Sequence, residues 1–134
     1  FSLPLAIASS VALEAYIAER DIRAKLKEMI INYLNSEIPE VDIASSPDGL
    51  SKFLSFSISG VEADRLLLEL EDLGFSVDSG SACKSADMQP SHVLAAMGRP
   101  IAGNIRLTLH KDITEQMVKE FCQALKSCVE KLRN

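Results

Sequence analysis

Residues Phe53 to Ser59 and Asn104 to Leu109 alternate in polarity one residue at a time, and no other feature limits the fold as tightly. In the first run Leu54, Phe56 and Ile58 point one way, and Ser55, Ser57 and Ser59 the other. In the second, Ile105, Leu107 and Leu109 share one face, and Arg106, Thr108 and His110 share the opposite one. A period of two is the signature of a β-strand with one apolar face. Such strands pair into a sheet that is covered on one side and polar on the other.

The cover has to come from helices, and the chain supplies helical periodicity on both sides of each strand. From Pro4 to about Leu34, apolar residues recur at helical spacing: Leu5, Val11, Ala12, Ala15, Ile22, Leu26, Met29, Ile30 and Tyr33. Pro4 suits a first turn. The first half of this helix is hydrophobic almost all round, which calls for a partner surface outside this chain. Pro39 and the Ser45-Ser46-Pro47-Asp48-Gly49 cluster are breakers, with Val41 to Ala44 a short strand between them.

Ser59-Gly60-Val61-Glu62 has capping-box spacing, and Leu66, Leu67, Leu70 and Leu73 form the stripe of the helix that follows. Gly74 fits the helix stop, and Phe75 to Val77 reads as a short strand. Pro90 to Met97 reads as a short helix ended by Gly98. Asp112 and Glu115 suggest a second capping box, before a last helix with Met117, Phe121, Leu125, Cys128 and Leu132 on one stripe. The expected order is helix, strand, strand, helix, strand, helix, strand, helix. The expected fold is α+β: a small, mainly antiparallel sheet with helices packed on one face, preceded by a long N-terminal helix.

With 134 residues the chain suits one domain, spanning 1–134, large enough to hold a core without disulfides or a metal. Hydrophobic residues make up 47% and charged residues 25%, which excludes a disordered tail, a collagen-like repeat or a disulfide miniprotein. Fourteen basic against 19 acidic residues leave a net charge of −5 and no basic cluster for nucleic acid. Aromatics are 5% and Trp is absent, so a base-stacking platform is not expected either. The apolar opening from Leu3 to Ala18 lacks a basic n-region, is interrupted by Glu14, and falls short of the roughly 20 residues of a membrane span. With Phe1 in first place, the expectation is a sequence that starts inside a larger polypeptide.

Cys83, Cys122 and Cys128 match no metal spacing, and reduced thiols in a cytoplasmic compartment are the simplest reading. Cys122 and Cys128 lie on or beside the last helix's apolar stripe, where a free thiol acts as a small hydrophobe. Cys83 sits instead in a loop of small and polar residues beside Lys84, whose charge and whose loop amides would favour thiolate. Arg106 is either an edge arginine with its head in water or a bidentate carboxylate grip. His92 and His110 have no clustered partners.

The residues around Cys83 carry a resemblance. Ser79-Gly80-Ser81-Ala82-Cys83-Lys84-Ser85, followed by Gln89-Pro90-Ser91-His92-Val93-Leu94-Ala95-Ala96-Met97-Gly98, is similar to the active-site cysteine loop of group I cysteine desulfurases. These are the NifS/IscS-like members of the class V aminotransferases, pyridoxal-phosphate enzymes of fold type I. Their pattern is S-G-S-A-C-T-S, four residues, then P-S-H-V-L-x-A-M-G; this chain has Lys84 where Thr is common. Gly103-Asn104-Ile105-Arg106-Leu107-Thr108-Leu109 resembles the family strand G-x-[IV]-R-[FLV]-S-L. Gly60-Val61-Glu62-Ala63-Asp64-Arg65-Leu66-Leu67 resembles its G-V-x-[GA]-[ED]-x-L-L helix start. His110-Lys111 stands where many members have G-R.

The resemblance implies the C-terminal small domain of such an enzyme, with 1–36 as the long connecting helix and 79–89 as the cysteine loop. Cys83 would be the catalytic nucleophile that takes sulfur from L-cysteine as a persulfide and leaves L-alanine, feeding iron-sulfur cluster assembly or other sulfur transfer. Arg106 would bind the substrate α-carboxylate. The implied partners are L-cysteine, a sulfur-acceptor protein, the enzyme's own large domain and a second copy in a homodimer, with no nucleic acid and no membrane. Pyridoxal phosphate would belong to the complete enzyme. No S-x-H-K-like lysine motif occurs in this sequence, so no cofactor is expected on this chain alone, which by itself would be inactive. A stand-alone α+β binding module and a pyridoxal-free persulfide carrier using Cys83 are the alternatives.

Overall fold

The computed structural model describes residues 2–46, 48–79 and 92–134. Along the chain run helix α1 (Leu3–Glu37), strands β1 (Val41–Ile43) and β2 (Phe53–Ile58), helix α2 (Ala63–Asp72), strand β3 (Asp78–Ser79), helix α3 (His92–Ala96), strand β4 (Asn104–Thr108) and helix α4 (Glu115–Arg133). The strands form one antiparallel sheet in the order β1-β2-β4-β3. This is the expected α+β order.

The two alternating runs are the central strands, and they pair with each other: Leu54 faces Leu107 and Phe56 faces Ile105. Their apolar sides, with Ile58 and Leu109, are buried under α2, α4 and the second half of α1. From α1 come Leu26, Ile30 and Leu34, with Ile38 just past its end; from α2, Leu66 and Leu70; from α4, Val118, Phe121, Cys122, Leu125, Cys128 and Val129. Phe75 meets the Phe121 ring edge-on at 5.6 Å between centroids.

Several details differ from the sequence-based expectation. The first half of α1 contributes nothing to this core: Leu3, Leu5, Ile7, Val11, Leu13, Ile17 and Ile22 are exposed. The α2 N-cap is Glu62, with no side-chain cap, and not Ser59. Gly60 at φ +76° turns the chain between them, so the Ser59–Glu62 spacing never closes into a box. Leu73 lies beyond the end of α2 and is exposed. The strand expected at 75–77 forms at Asp78–Ser79 instead, because Phe75 and Val77 turn their side chains to the core and only 78 and 79 pair with β4. Helix α4 is capped by Thr114, whose hydroxyl accepts from the Met117 amide at 3.3 Å, and not by Asp112. The buried stripe of α4 runs through Val118 and Val129, and Met117 is 48% exposed.

Gly103 fixes how β4 enters the sheet. Its φ is +67°, and a Cβ there would lie 2.2 Å from the Ile58 carbonyl oxygen and 2.9 Å from that of Val61. Only glycine fits. The approach lets the Ile58 amide donate to the Gly103 carbonyl at 3.1 Å.

Candidate functional site

The sheet's second face carries the polar residues. Residues directly opposite in an antiparallel pair share a face. One row is therefore Asp42, Ser57 and Asn104; the next is Ser55, Arg106 and Asp78. Alternation alone leaves this face either solvated or turned toward a site, and part of it is in fact covered. Ser57 and Asn104 are buried. The Ser57 hydroxyl donates to the Pro100 carbonyl at 2.9 Å, so the turn before Gly103 folds back over the sheet. The Asn104 amide nitrogen lies 3.1 Å from the hydroxyl oxygens of Ser55 and Ser57 and 3.2 Å from the Phe56 carbonyl. Arg99 reaches across to Asp42 at 2.9 Å.

Arg106 projects from this face beside the covered row. It is not an edge arginine, because β4 has β2 on one side and β3 on the other. Its Nη2 donates to Oδ2 of Asp78, its register partner on β3, at 2.5 Å. Both side chains are about half exposed, at 50% and 47%, so the guanidinium is open to a ligand from solvent.

Cys83 and Lys84 lie outside the described residues. The chain leaves β3 at Ser79, which pairs with Ile105, the neighbour of Arg106. In the sequence Cys83 follows four residues after Ser79. Cys122 and Cys128 are buried free thiols, as expected. Burial pushes the Cys122 thiol up to about 11 and raises that of Cys128 as well, with Glu69 adding to the latter. Both are poor nucleophiles at neutral pH. His92, His110 and Lys111 are exposed.

A pyridoxal cofactor needs an available lysine amine, an acid for its ring nitrogen and a phosphate cradle. Lys27 is the one buried lysine among the described residues. Its ammonium donates to the carbonyls of Ser46 at 3.4 Å and Leu50 at 3.3 Å, tying the 46–50 turn to α1. Burial lowers its pKa, but it faces no polar cradle shared with Arg106. Lys126 and Lys131 are held by Glu37 and Glu69, at 2.7 and 2.6 Å. The described residues do not fit the cofactor. Among them there is also no cluster of His, Cys, Asp or Glu suited to a metal, and no helix long and apolar enough to cross a membrane.

No protein-family model matches the chain. Curated relatives do. A cysteine desulfurase IscS of Clostridium botulinum is 32% identical over 133 residues, covering 94% of this chain and 33% of the relative. A cysteine desulfurase of Trichormus variabilis is 33% identical over 139 residues, covering 98% of this chain and 35% of the relative. The chain thus spans about a third of the length of the curated relatives it matches. Among solved structures, a NifS-like protein superposes with a TM-score of 0.76 at 23% identity, over 90% of this chain and 31% of that one, a likeness of fold.

Proposed function

This chain is a homologue of the cysteine desulfurases over nearly all of its length, and from that premise we propose that it serves as the small domain of such an enzyme. Cys83 is its sulfur-accepting nucleophile and Arg106 its carboxylate grip. The observation that carries the proposal is the pairing of β3 with β4: Ser79, the first residue of the 79–89 cysteine loop, sits across from the neighbour of an open guanidinium.

Each residue has a definite task. The Arg106 guanidinium has five N–H donors in a planar fork, and it orients an amino-acid substrate by its α-carboxylate. The Cys83 thiolate attacks the sulfur of L-cysteine; an S–S bond forms as the substrate's Cβ–S bond breaks, and its electron pair stays with Cβ, which takes a proton to become the methyl group of alanine. The products are a Cys83 persulfide and L-alanine. A sequence of Ser, Gly and Ala around it suits a thiol that must first reach the substrate and then hand sulfur to an acceptor protein. In the complete enzyme pyridoxal phosphate supplies the electron sink for that bond cleavage. The lack of an S-x-H-K-like lysine motif in this sequence supports placing the cofactor in the rest of that enzyme. Cytoplasmic location, dimer formation and a role in iron-sulfur cluster assembly are part of the same proposal.

The test is cysteine turnover by the complete enzyme followed by peptide mapping. Cys83→Ser should abolish persulfide and alanine formation. Arg106→Ala should raise KM for L-cysteine about tenfold to over a hundredfold, the weight of a charge-assisted hydrogen-bonded pair of roughly 1.5–3 kcal/mol. A persulfide found on Cys122 or Cys128 would overturn the assignment.

A further inference from the structure

We infer that Asp78 is a built-in competitor for the substrate carboxylate: it occupies the Arg106 guanidinium in the substrate-free site and sets how tightly an amino acid binds there. The inference rests on the reading of Arg106 as the carboxylate grip.

Three observations support it. Asp78 stands directly opposite Arg106 in the β3–β4 register, with its carboxylate 2.5 Å from Nη2. The pair forms on the polar face, and on the β2 side Arg106 has only the neutral Ser55 in register. Asp is also a poor strand residue, and a half-exposed ion pair adds little to stability, so folding gives weak reason to keep it there. The contact uses one Nη2 proton and one carboxylate oxygen, which leaves the rest of the fork able to receive a second carboxylate. That second carboxylate meets a guanidinium whose charge Asp78 already offsets and one of whose Nη2 protons it already holds. Substrate therefore binds by displacing Asp78 or sharing the fork with it, and either way binds more weakly than to a bare arginine. Binding that is weakened equally before and during the chemical step appears in KM and not in kcat.

The experiment is steady-state kinetics of the complete enzyme with L-cysteine, comparing wild type, Asp78→Asn, Asp78→Glu, Arg106→Ala and the Asp78→Asn/Arg106→Ala double variant. Asp78→Asn keeps the shape and removes the charge. It should lower KM about two- to fivefold, the weight of an exposed ion pair, with kcat held within about twofold. Asp78→Glu should stay near wild type. In the Arg106→Ala background Asp78→Asn should change nothing, because its effect runs through the guanidinium. If Arg106→Ala raises KM but Asp78→Asn leaves it unchanged or raises it, Asp78 is no competitor and the inference fails alone. It fails alone, too, if Asp78→Asn acts equally in both backgrounds. If Arg106→Ala leaves KM unchanged, the carboxylate-grip reading itself fails, and the inference with it.

Discussion

Gly103→Ala tests the hinge on which the site's geometry turns. The added Cβ would sit 2.2 Å from the Ile58 carbonyl oxygen and 2.9 Å from that of Val61, both rigid backbone atoms at the end of β2. No rotamer relieves that overlap. The chain must back away by about 1 Å, and the 3.1 Å bond from the Ile58 amide to the Gly103 carbonyl weakens with it. Three costs combine: a left-handed backbone at φ +67° now carrying a side chain, overpacking against backbone, and a buried hydrogen bond stretched or lost. Together they amount to about 3–5 kcal/mol, a large share of the ~5–15 kcal/mol that holds a domain folded. Gly74→Ala is the matched control, since its φ of +86° is as demanding but nothing lies within 4 Å of the added Cβ. It should cost only about 1 kcal/mol. Urea denaturation followed by circular dichroism measures both. Equal losses at the two positions would refute the close approach of Gly103 to Ile58, and with it the account of how β4 is seated.

Other outcomes follow from the same packing. Leu125→Ala, fully buried, should cost about 2–5 kcal/mol, whereas Met117→Ala should fall within about 1 kcal/mol; comparable losses would restore the sequence-based stripe. Thr114→Ala should cost about 1 kcal/mol through the lost cap, and Asp112→Ala within about 0.5 kcal/mol, both read from the urea midpoint. The Cys122 thiol goes from its ordinary 9.0 to about 11 on burial, so the folded chain keeps a proton that the unfolded chain loses. The contribution of this thiol to stability should therefore be fully present below pH 9 and be lost as pH rises toward about 11, and Cys122→Val should flatten that part of the pH profile relative to wild type.

What is legible in the sequence is whatever repeats along the chain. The alternation at 53–59 and 104–109 exposes a strand pair without any tertiary knowledge, and the order of elements follows from it. The departures have local causes. A Ser-x-x-Glu spacing cannot show that Gly60 turns the chain, so Ser59 looks like a cap. Phe75 and Val77 alternate like strand residues, yet they enter the core from irregular backbone, and the true strand, Asp78–Ser79, carries no apolar signal at all. Ser57 and Asn104 are buried polar residues that no hydropathy pattern marks. In the site, Arg106 is legible through its motif. Asp78 is not, because its partnership exists only once β3 lies beside β4. The first half of α1 shows in its composition a need for a surface that this fold does not supply, but helical spacing alone cannot separate its residues from the core stripe of the second half.

The buried polar row explains why Arg106 can be placed accurately on so short a strand. A one-residue slip of β4 would carry Arg106 to the apolar side and Ile105 and Leu107 to the polar one, a change that would bury a guanidinium beneath three helices. Hydrophobic alternation opposes that slip, but a slip of two residues keeps the alternation and would move Arg106 from Ser55 to a different partner. What opposes the two-residue slip is the row beside it. Asn104 must stay opposite Ser57 to satisfy its amide, and Gly103 must stay where Ile58 and Val61 leave no room for a Cβ. Moving either leaves a buried polar group unpaired or drives a larger residue into backbone. The polar face thus does for register what the apolar face cannot. It holds Arg106 opposite Asp78 and Ile105 opposite Ser79, the residue from which the chain departs toward Cys83, so the guanidinium keeps a fixed position relative to the end of β3.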